Sequence, residues 1–486
     1  MHEVPGDGAL AREWPAVSEA LAVARAALAG EEVHLVGGAV RDRLLGRPLT
    51  DLDLVVAAPD AAPAARALGR AAGGPAFALS DIWGSWRVLP ADRSWQADLT
   101  PRRGGSLEGD LALRDFTLNA MAEPLAGGGL IDPHGGAQDL AAGRLRMVTE
   151  QAFTEDALRA VRLARLSCEL GLTVEEETLA AARRHADGLR GVAGERIFAE
   201  LKRIITAADV LRGLDLLDRA GVVAVVLPEL EAMRGVEQTV YHHRDVHGHV
   251  LEVLEHVIAI ERDPAPVLGE EHVEGVSALL ARPLSDELTR GGALRLGALL
   301  HDVAKPATQT PLARGGYGFP GHDELGARMT RDILTRLRTG ERLRSHVAAL
   351  ARHHLRTGFL VHDRPLDRRA LHAYLVACDP VAADVTLLSV ADRLATRGRK
   401  AGEAIDRHLA LVRELLPDVL RWQEEGPPPS LLRGDEVTRA LDRPPGPWRG
   451  DALAELAEAH YAGEITTREE ALAHVGRVVH PPSRPS

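Results

Sequence analysis

The stretch Asp51-Leu52-Asp53-Leu54-Val55-Val56, set shortly behind Val36-Gly37-Gly38-Ala39-Val40-Arg41-Asp42, decides how this chain reads. Side chains alternate along a strand, so Asp51 and Asp53 share one face while Leu52 and Leu54 share the other. Two carboxylates held that close call for a counter-cation. One or two Mg²⁺ ions, which take carboxylate oxygens and substrate phosphates, meet that need. Gly37 and Gly38 carry no Cβ, so their backbone can approach a polyphosphate and aim N–H groups at it. Metal ligands beside a phosphate cradle imply phosphoryl transfer.

Residues from about 30 to 135 read as mixed α/β. Short apolar runs (Val33 to Val36, Leu52 to Val56, Trp86 to Leu89, Trp95 to Leu99) are bounded by Gly, Pro and Asp turns. From Phe153 the period becomes helical, with Leu158, Val161, Leu163, Leu166 and Leu170 recurring, and the remainder reads as helix. A histidine-rich region opens at Tyr241-His-His-Arg-Asp-Val-His-Gly-His249 and runs to about Arg399, interrupted by a Gly/Pro loop from Thr308 to Pro320. Gly426-Pro-Pro-Pro429 then sets off a small tail, and no internal repeat is evident. The fold class expected is α+β: a mixed-sheet head (1–148), a helical neck (149–228), a helical histidine-rich domain (229–410) and a tail (411–486).

Composition narrows the setting. No apolar stretch reaches the ~20 residues of a membrane span, and the start Met-His-Glu-Val-Pro-Gly-Asp is unlike a signal peptide, so a cytoplasmic protein with no membrane partner is expected. With only Cys168 and Cys378, a disulfide framework or thiolate zinc site is not expected. Only Lys202, Lys305 and Lys400 of the 58 basic residues are lysine, a bias of composition. A net charge of −12 excludes gripping nucleic acid by overall charge, so an RNA partner needs a local patch. One candidate is Glu324 to Arg356, with arginines 328, 331, 336, 338, 342, 344, 352 and 356; a solvated helix face explains it equally well.

The run Gly-Gly-Ala-Val-Arg-Asp, eight residues, then Asp-Leu-Asp resembles the head signature of the class II tRNA nucleotidyltransferase and bacterial poly(A) polymerase family. The resemblance implies Mg²⁺ on Asp51 and Asp53, with Asp98 in Trp95-Gln-Ala-Asp-Leu-Thr100 as third catalytic acid, and triphosphate binding by Gly37, Gly38 and Arg41. Leu113-Arg114-Asp115-Phe116-Thr117-Leu118-Asn119-Ala120 is similar to a further family block. There Arg114 can fork onto triphosphate oxygens while Asp115 and Asn119 reach ribose hydroxyls. In Glu155-Asp156-Ala-Leu-Arg159-Ala-Val-Arg162-Leu-Ala-Arg165, the expected helix lines up 156, 159 and 162. This block resembles the family's base-reading template. A carboxylate at 156 would accept from the amino group of C or A and a guanidinium at 159 would donate to the adjacent ring acceptor, with Arg162 and Arg165 also on the nucleotide. Uracil and guanine would leave buried groups unpaired, at ~1–3 kcal/mol each. Ile131-Asp-Pro-His-Gly-Gly136 and Gly194-Glu-Arg-Ile-Phe-Ala-Glu-Leu201 also look like family motifs, read as a turn and a helix start. The likeness spans about residues 33 to 205.

One departure stands out. Complete CCA-adding members carry a longer flexible loop where this chain has only Pro101-Arg-Arg-Gly-Gly-Ser-Leu-Glu-Gly-Asp110, which resembles enzymes adding C alone. Further on, His249, His301-Asp302 and Asp392 reproduce the ligand order of the HD phosphohydrolase superfamily, and such mixed ligands suit a divalent transition metal. His322, His353 and His354 are candidates for a second metal there, and His256 competes with His249. The tail, with Leu432-Arg-Gly-Asp435, looks like the family's RNA-binding segment. The expectation is template-independent addition of C, with A open, from CTP or ATP to a tRNA 3′ end; a poly(A) polymerase and an HD phosphohydrolase are the alternatives. Oligomeric state is not set by the sequence.

Overall fold

Six short strands carry the carboxylates in the computed structural model, which describes residues 15–479 except 48, 50, 81–82, 240–241, 314–315, 363–364 and 398–400. The N-terminal start, Tyr241 and Lys400 therefore lie outside the described residues. The chain divides into two units, Met1–Val226 and Leu227–Ser486.

In the first unit, β1 (Val33–Val36), β2 (Asp51–Val56), β3 (Ala76–Ser80), β4 (Ser85–Val88), β5 (Gln96–Pro101) and β6 (Ala122–Pro124) form one sheet in the order β3-β4-β5-β2-β1-β6. Only β2 and β5 run parallel, and their register sets Asp53 directly beside Asp98. Arg87 pairs with Asp98 and Phe77 with Arg87, so one rung reads Phe77, Arg87, Asp98, Asp53 across four strands. Residues on one rung point to the same face. Their neighbours Leu52, Leu54, Ala97 and Leu99, each at most 1% exposed, point the other way. They pack with Leu21, Leu35 and Leu68 beneath the helices Pro15–Ala27 and Ala62–Ala71. Each leucine so buried contributes roughly 1.5–3 kcal/mol, which pins the register and with it the carboxylate face. A smaller cluster of Val36, Val55, Leu111 and Ala120 seats the helix Leu107–Ala112.

β3 and β6 do not stand out in the sequence. β3 is an edge strand whose central residues are exposed, so it lacks the alternation that marks a half-buried strand. β6 is three residues ending in Pro124, which an edge position tolerates.

The neck departs from a single continuous helix. Gln151–Glu155 is a short helix, and Asp156 is extended, at φ −147° and ψ 99°, before the helix Arg159–Leu170. Its carboxylate accepts from Leu158 N–H at 3.2 Å, the local bond by which aspartate opens a helix instead of lengthening one. Asp156 therefore does not share a helix face with Arg159 and Arg162. The two segments read as a turn and a helix start behave so: Asp132 accepts from Gly136 and Ala137 N–H at 2.7 and 2.9 Å, and a helix runs from Gly194 to Thr206.

The second unit is built around Arg290–Leu300, buried on every side. Gly297 lets Leu350 approach so closely that a Cβ there would stand 2.5 Å from Leu350 Cδ1. The helix's two arginines are neutralised, Arg290 by Asp384 and Arg295 by Glu261 at 2.7 Å. Around it pack Val246–Arg262, Glu341–His353 and Ala382–Ala395. Beyond the Pro-rich linker the tail has its own small core, with Leu432, Val437, Leu456, Ile465 and Val475. No single helix among the described residues is long and apolar enough to cross a membrane.

Candidate active site

The carboxylate face of the sheet opens into a cavity of about 370 Å³ lined by Gly37, Gly38, Asp53, Asp98, Arg114 and Arg159 among others. Gly37 stands at φ +70°, and a Cβ on it would lie 2.9 Å from Arg114 Nη1 and 3.4 Å from Asp53 Oδ2. Only glycine fits that conformation and that gap. The Gly37 N–H is taken by the Met121 carbonyl at 3.3 Å, so it does not serve the phosphate cradle expected of it. Arg41 forks onto Asp42 at 2.8–2.9 Å and donates to Asn119 Oδ1 at 2.7 Å, which places it behind the cavity wall as a support for Asn119.

Burial raises the Asp53 carboxyl to about 6, with Asp98 and Asp51 adding to the rise and Arg114 opposing it. A cation bound beside these acids would favour their charged forms. Asp98 shares the face with Asp53, as alternation requires, but both its oxygens are held by Arg87 at 2.8 Å. Asp51 is exposed on the same face and does not line the cavity.

Asp110 was not singled out by sequence, yet it is 2% exposed and orders the cavity's far side. It accepts from Arg114 at 3.1 Å and from the Arg103 backbone N–H at 3.0 Å. Its only local signal is the i,i+4 spacing to Arg114. Asp115 and Asn119 both line the cavity, and the Asp115 oxygens accept from Phe116 N–H at 2.8 Å, Asn119 at 3.1 Å and Arg162 at 3.2 Å. Burial opposes its charge, but Arg162 and these bonds hold its carboxyl below the usual value. Arg162 lines the cavity and is shared between Asp115 and Glu200. Arg165 stands behind it, paired with Glu200 and Glu169, and does not reach the cavity. Arg159 lines the cavity, its guanidinium fixed by the carbonyls of Leu113 at 2.9 Å and Ala152 at 3.1 Å. Asp156 instead faces a separate groove of about 710 Å³, where it pairs with Arg196 at 2.7 Å.

In the second unit, His249, His301 and Asp392 form one group of potential ligand atoms and Asp302, His322 and His354 another, each within 4.8 Å. Asp302 lies between them: Oδ2 is 3.6 Å from His249 Nε2 and 3.2 Å from His301 Nε2, and Oδ1 is 3.6 Å from His322 and 3.7 Å from His354. His301, His322 and His354 each place Nδ1 within 2.6–2.9 Å of the carbonyl three residues earlier, which makes Nδ1 the donor and turns the Nε2 lone pair inward. Both His249 nitrogens, His301 Nε2 and Asp302 Oδ1 are buried without a hydrogen bond. His301 Nε2, Asp302 Oδ1 and His249 Nε2, which faces Asp302 and Asp392, make a donor set that would suit a divalent metal, with Asp302 within reach of both groups. Burial pushes the His354 imidazole down to about 4, with His301 and His322 adding to it, so it is a neutral ligand at pH 7. His353 is not part of the cluster; it accepts from Arg356 at 3.0 Å. His256 also lies outside it, while His242, unremarked in sequence, sits edge-on to His249 at 4.9 Å. Lys305, one helical turn after Asp302, places Nζ 2.6 Å from it.

Among the described residues, four of the eight arginines of the patch in 324–356 are in ion pairs. Arg331 and Arg344 pair with Glu341, Arg336 with Glu229, and Arg352 with Asp323 and Glu324. Burial pushes half-buried Cys168 up to about 11 and buried Cys378 up to about 12, which keeps both as thiols at pH 7.

A mixed sheet presenting paired aspartates beside a glycine turn, followed in the chain by a helical unit with a His-Asp cluster, defines a nucleotidyltransferase head joined to an HD-type domain. The families described as Poly A polymerase head domain, Probable RNA and SrmB-binding site of polymerase A, and HD domain match residues 88–146, 171–234 and 246–397. An A-adding tRNA nucleotidyltransferase of Deinococcus radiodurans is 38% identical over 91% of this chain and 94% of its own. A CC-adding tRNA nucleotidyltransferase of Thermus thermophilus is 36% identical over 90% and 92%. A CCA-adding enzyme of Thermotoga maritima, solved in complex with tRNA, shares the fold with a TM-score of 0.62 at 19% identity, covering 97% of each chain. The chain belongs to the tRNA nucleotidyltransferase family and is an enzyme of that class.

Proposed function

We propose that this enzyme transfers a nucleotidyl group to the 3′-hydroxyl of tRNA lacking part of its CCA end, using CTP in preference to ATP. The observation that carries the reading is the register that sets Asp53 beside Asp98, with Arg114 across Gly37 from them. Asp51 and Asp53 would hold Mg²⁺, which when bound lowers the pKa of the attacking hydroxyl and stabilises the leaving pyrophosphate. Arg114, oriented by Asp110, holds the triphosphate as a fixed fork. Arg159 presents its guanidinium to the base. For Asp156 to read the base with it, the carboxylate exchanges Arg196 for an exocyclic amino group, breaking a half-exposed ion pair worth ~0–1 kcal/mol. Preference for C rests on the short segment from Pro101 to Asp110, since the family resemblance ties the longer loop to A addition.

Purified enzyme given tRNAs ending before CCA, after C and after CC, with CTP and ATP separately, tests this. Incorporation of C alone supports the reading; A added only to tRNA ending in CC assigns the A-adding reaction instead, and long A tails on any RNA refute it. Loss of incorporation in Asp51→Ala and Asp53→Ala is expected.

A second activity is favoured by the buried ligand cluster around Asp302. It supports metal-dependent hydrolysis of phosphoesters, such as cyclic or 3′-phosphates at RNA ends. Phosphate release that persists in Asp53→Ala and disappears in Asp302→Ala is the expected result; its absence with every divalent transition metal would sink this assignment.

A further inference from the structure

Across the sheet, the acids stand between two unlike rims. On the β1 side lie Gly37 and Arg114. On the β4 side the cavity is closed by Trp83 in the β3–β4 turn, Ser85 at the start of β4, Pro101 at the end of β5 and Arg103 just beyond it. Trp83 is 60% exposed, more than an apolar ring needs to be in this fold, and the Arg103 guanidinium lies over it at 5.5 Å. The backbone of each is anchored. Trp83 N–H donates to Ser80 Oγ at 3.3 Å, and Gly84, at φ +62°, packs on Pro101, where a Cβ would stand 3.2 Å from its Cγ. Arg103 is anchored through its backbone to buried Asp110. The segment behind it is locked, because Gly104, at φ +68°, abuts the Gly109 backbone so closely that a Cβ would come within 2.6 Å. The short segment from Pro101 to Asp110 thus carries the Arg103 guanidinium over an exposed indole.

We infer that Trp83 and Arg103 form the stacking platform for the 3′-terminal base of the RNA acceptor. The inference rests on the nucleotidyl-transfer reading and names the acceptor's place in it. In-line displacement puts the attacking hydroxyl opposite the leaving pyrophosphate, with the acids between. Arg114 and the glycine turn occupy the β1 side, so the acceptor enters from the β4 side, about three strand spacings (~14 Å) away. An aromatic face with an adjoining guanidinium is the surface a splayed single-stranded end recognises, by stacking and by phosphate contact. Phe77 at 41% and Leu79 at 45% exposure continue the apolar surface outward along β3.

The test is steady-state incorporation of labelled CTP into tRNA lacking CCA by the full-length enzyme, with Trp83→Ala, Trp83→Phe and Arg103→Ala. Trp83→Ala is expected to raise KM for tRNA about tenfold and leave KM for CTP unchanged, with Trp83→Phe recovering most of the loss. Quenching of protein fluorescence by a short RNA ending in cytidine, lost in Trp83→Phe, reads the platform without turnover. A tRNA KM within about twofold of wild type in Trp83→Ala overturns the inference, as does a rise in KM for CTP instead, which would give the indole to the incoming base. If the wild type transfers no nucleotide to any RNA yet the quenching depends on Trp83, the transfer reading fails and the platform stands.

Discussion

Replacing Asp53 by Asn should abolish nucleotidyl transfer and, at the same time, stabilise the metal-free protein. In the fold this carboxyl titrates near 6 in place of 3.8, chiefly because of burial. At ~1.4 kcal/mol per tenfold, that rise costs the charged form about 3 kcal/mol if the side chain were fully buried. Asp53 is half-buried, so about 1–2 kcal/mol is the reasonable share. The sign follows from linkage. A carboxyl whose folded value is raised binds its proton more tightly in the fold, so the penalty is absent below about pH 4, grows between pH 4 and 6, and is complete above. For a unit of 226 residues, each kcal/mol moves Tm by ~2–4 °C. Calorimetry of metal-stripped protein at pH 8 should therefore place the first-unit transition of Asp53→Asn about 2–8 °C above wild type, with the gap closing at pH 4. Mg²⁺ should raise the wild-type Tm and leave the variant unmoved. If the variant melts at or below wild type at pH 8, or the gap is the same at both pH values, the account of Asp53 as a buried, destabilised carboxylate is refuted.

Gly37→Ala forces a side chain at φ +70° against Arg114, and strain with a displaced guanidinium together predict a ~100-fold loss in kcat/KM for CTP at near-normal tRNA affinity. Asp302→Asn should remove the thermal stabilisation given by Mn²⁺ or Co²⁺ and the metal content of the purified enzyme, with C incorporation retained; incorporation falling in parallel would tie the two sites together. Asp384→Ala leaves Arg290 charged and buried, so the second-unit transition should lose ~3–5 kcal/mol in urea unfolding, and a loss under ~1 kcal/mol would mean the pair carries little.

Much of the head was legible because its cues are local. Strand alternation alone places Asp51 and Asp53 on one face, and the glycine pair announces a turn whose first residue, Gly37, no other side chain fits. The helical period after Phe153, and the spacing of His301-Asp302 from His249 and Asp392, were equally open to reading, since periodicity and residue type are properties of the chain. What the chain could not show is which partner each charge takes. The break at Asp156 comes from one side-chain-to-backbone bond competing with helix continuation. Arg41 and Arg165 read as nucleotide ligands, but Asn119 and Glu200, distant in sequence, draw them behind the cavity wall. His354 enters the metal cluster and its neighbour His353 does not, because successive helical residues point about 100° apart and only packing decides which faces inward. The carboxylate pair, the glycine turn and the ligand inventory thus follow from residue order alone. Packing sets Asp98 beside Asp53 under the grip of Arg87, Asp302 between two groups of histidines, and Trp83 exposed at the rim of the cavity. Pairing across strands and helices joins residues that chain spacing leaves unrelated.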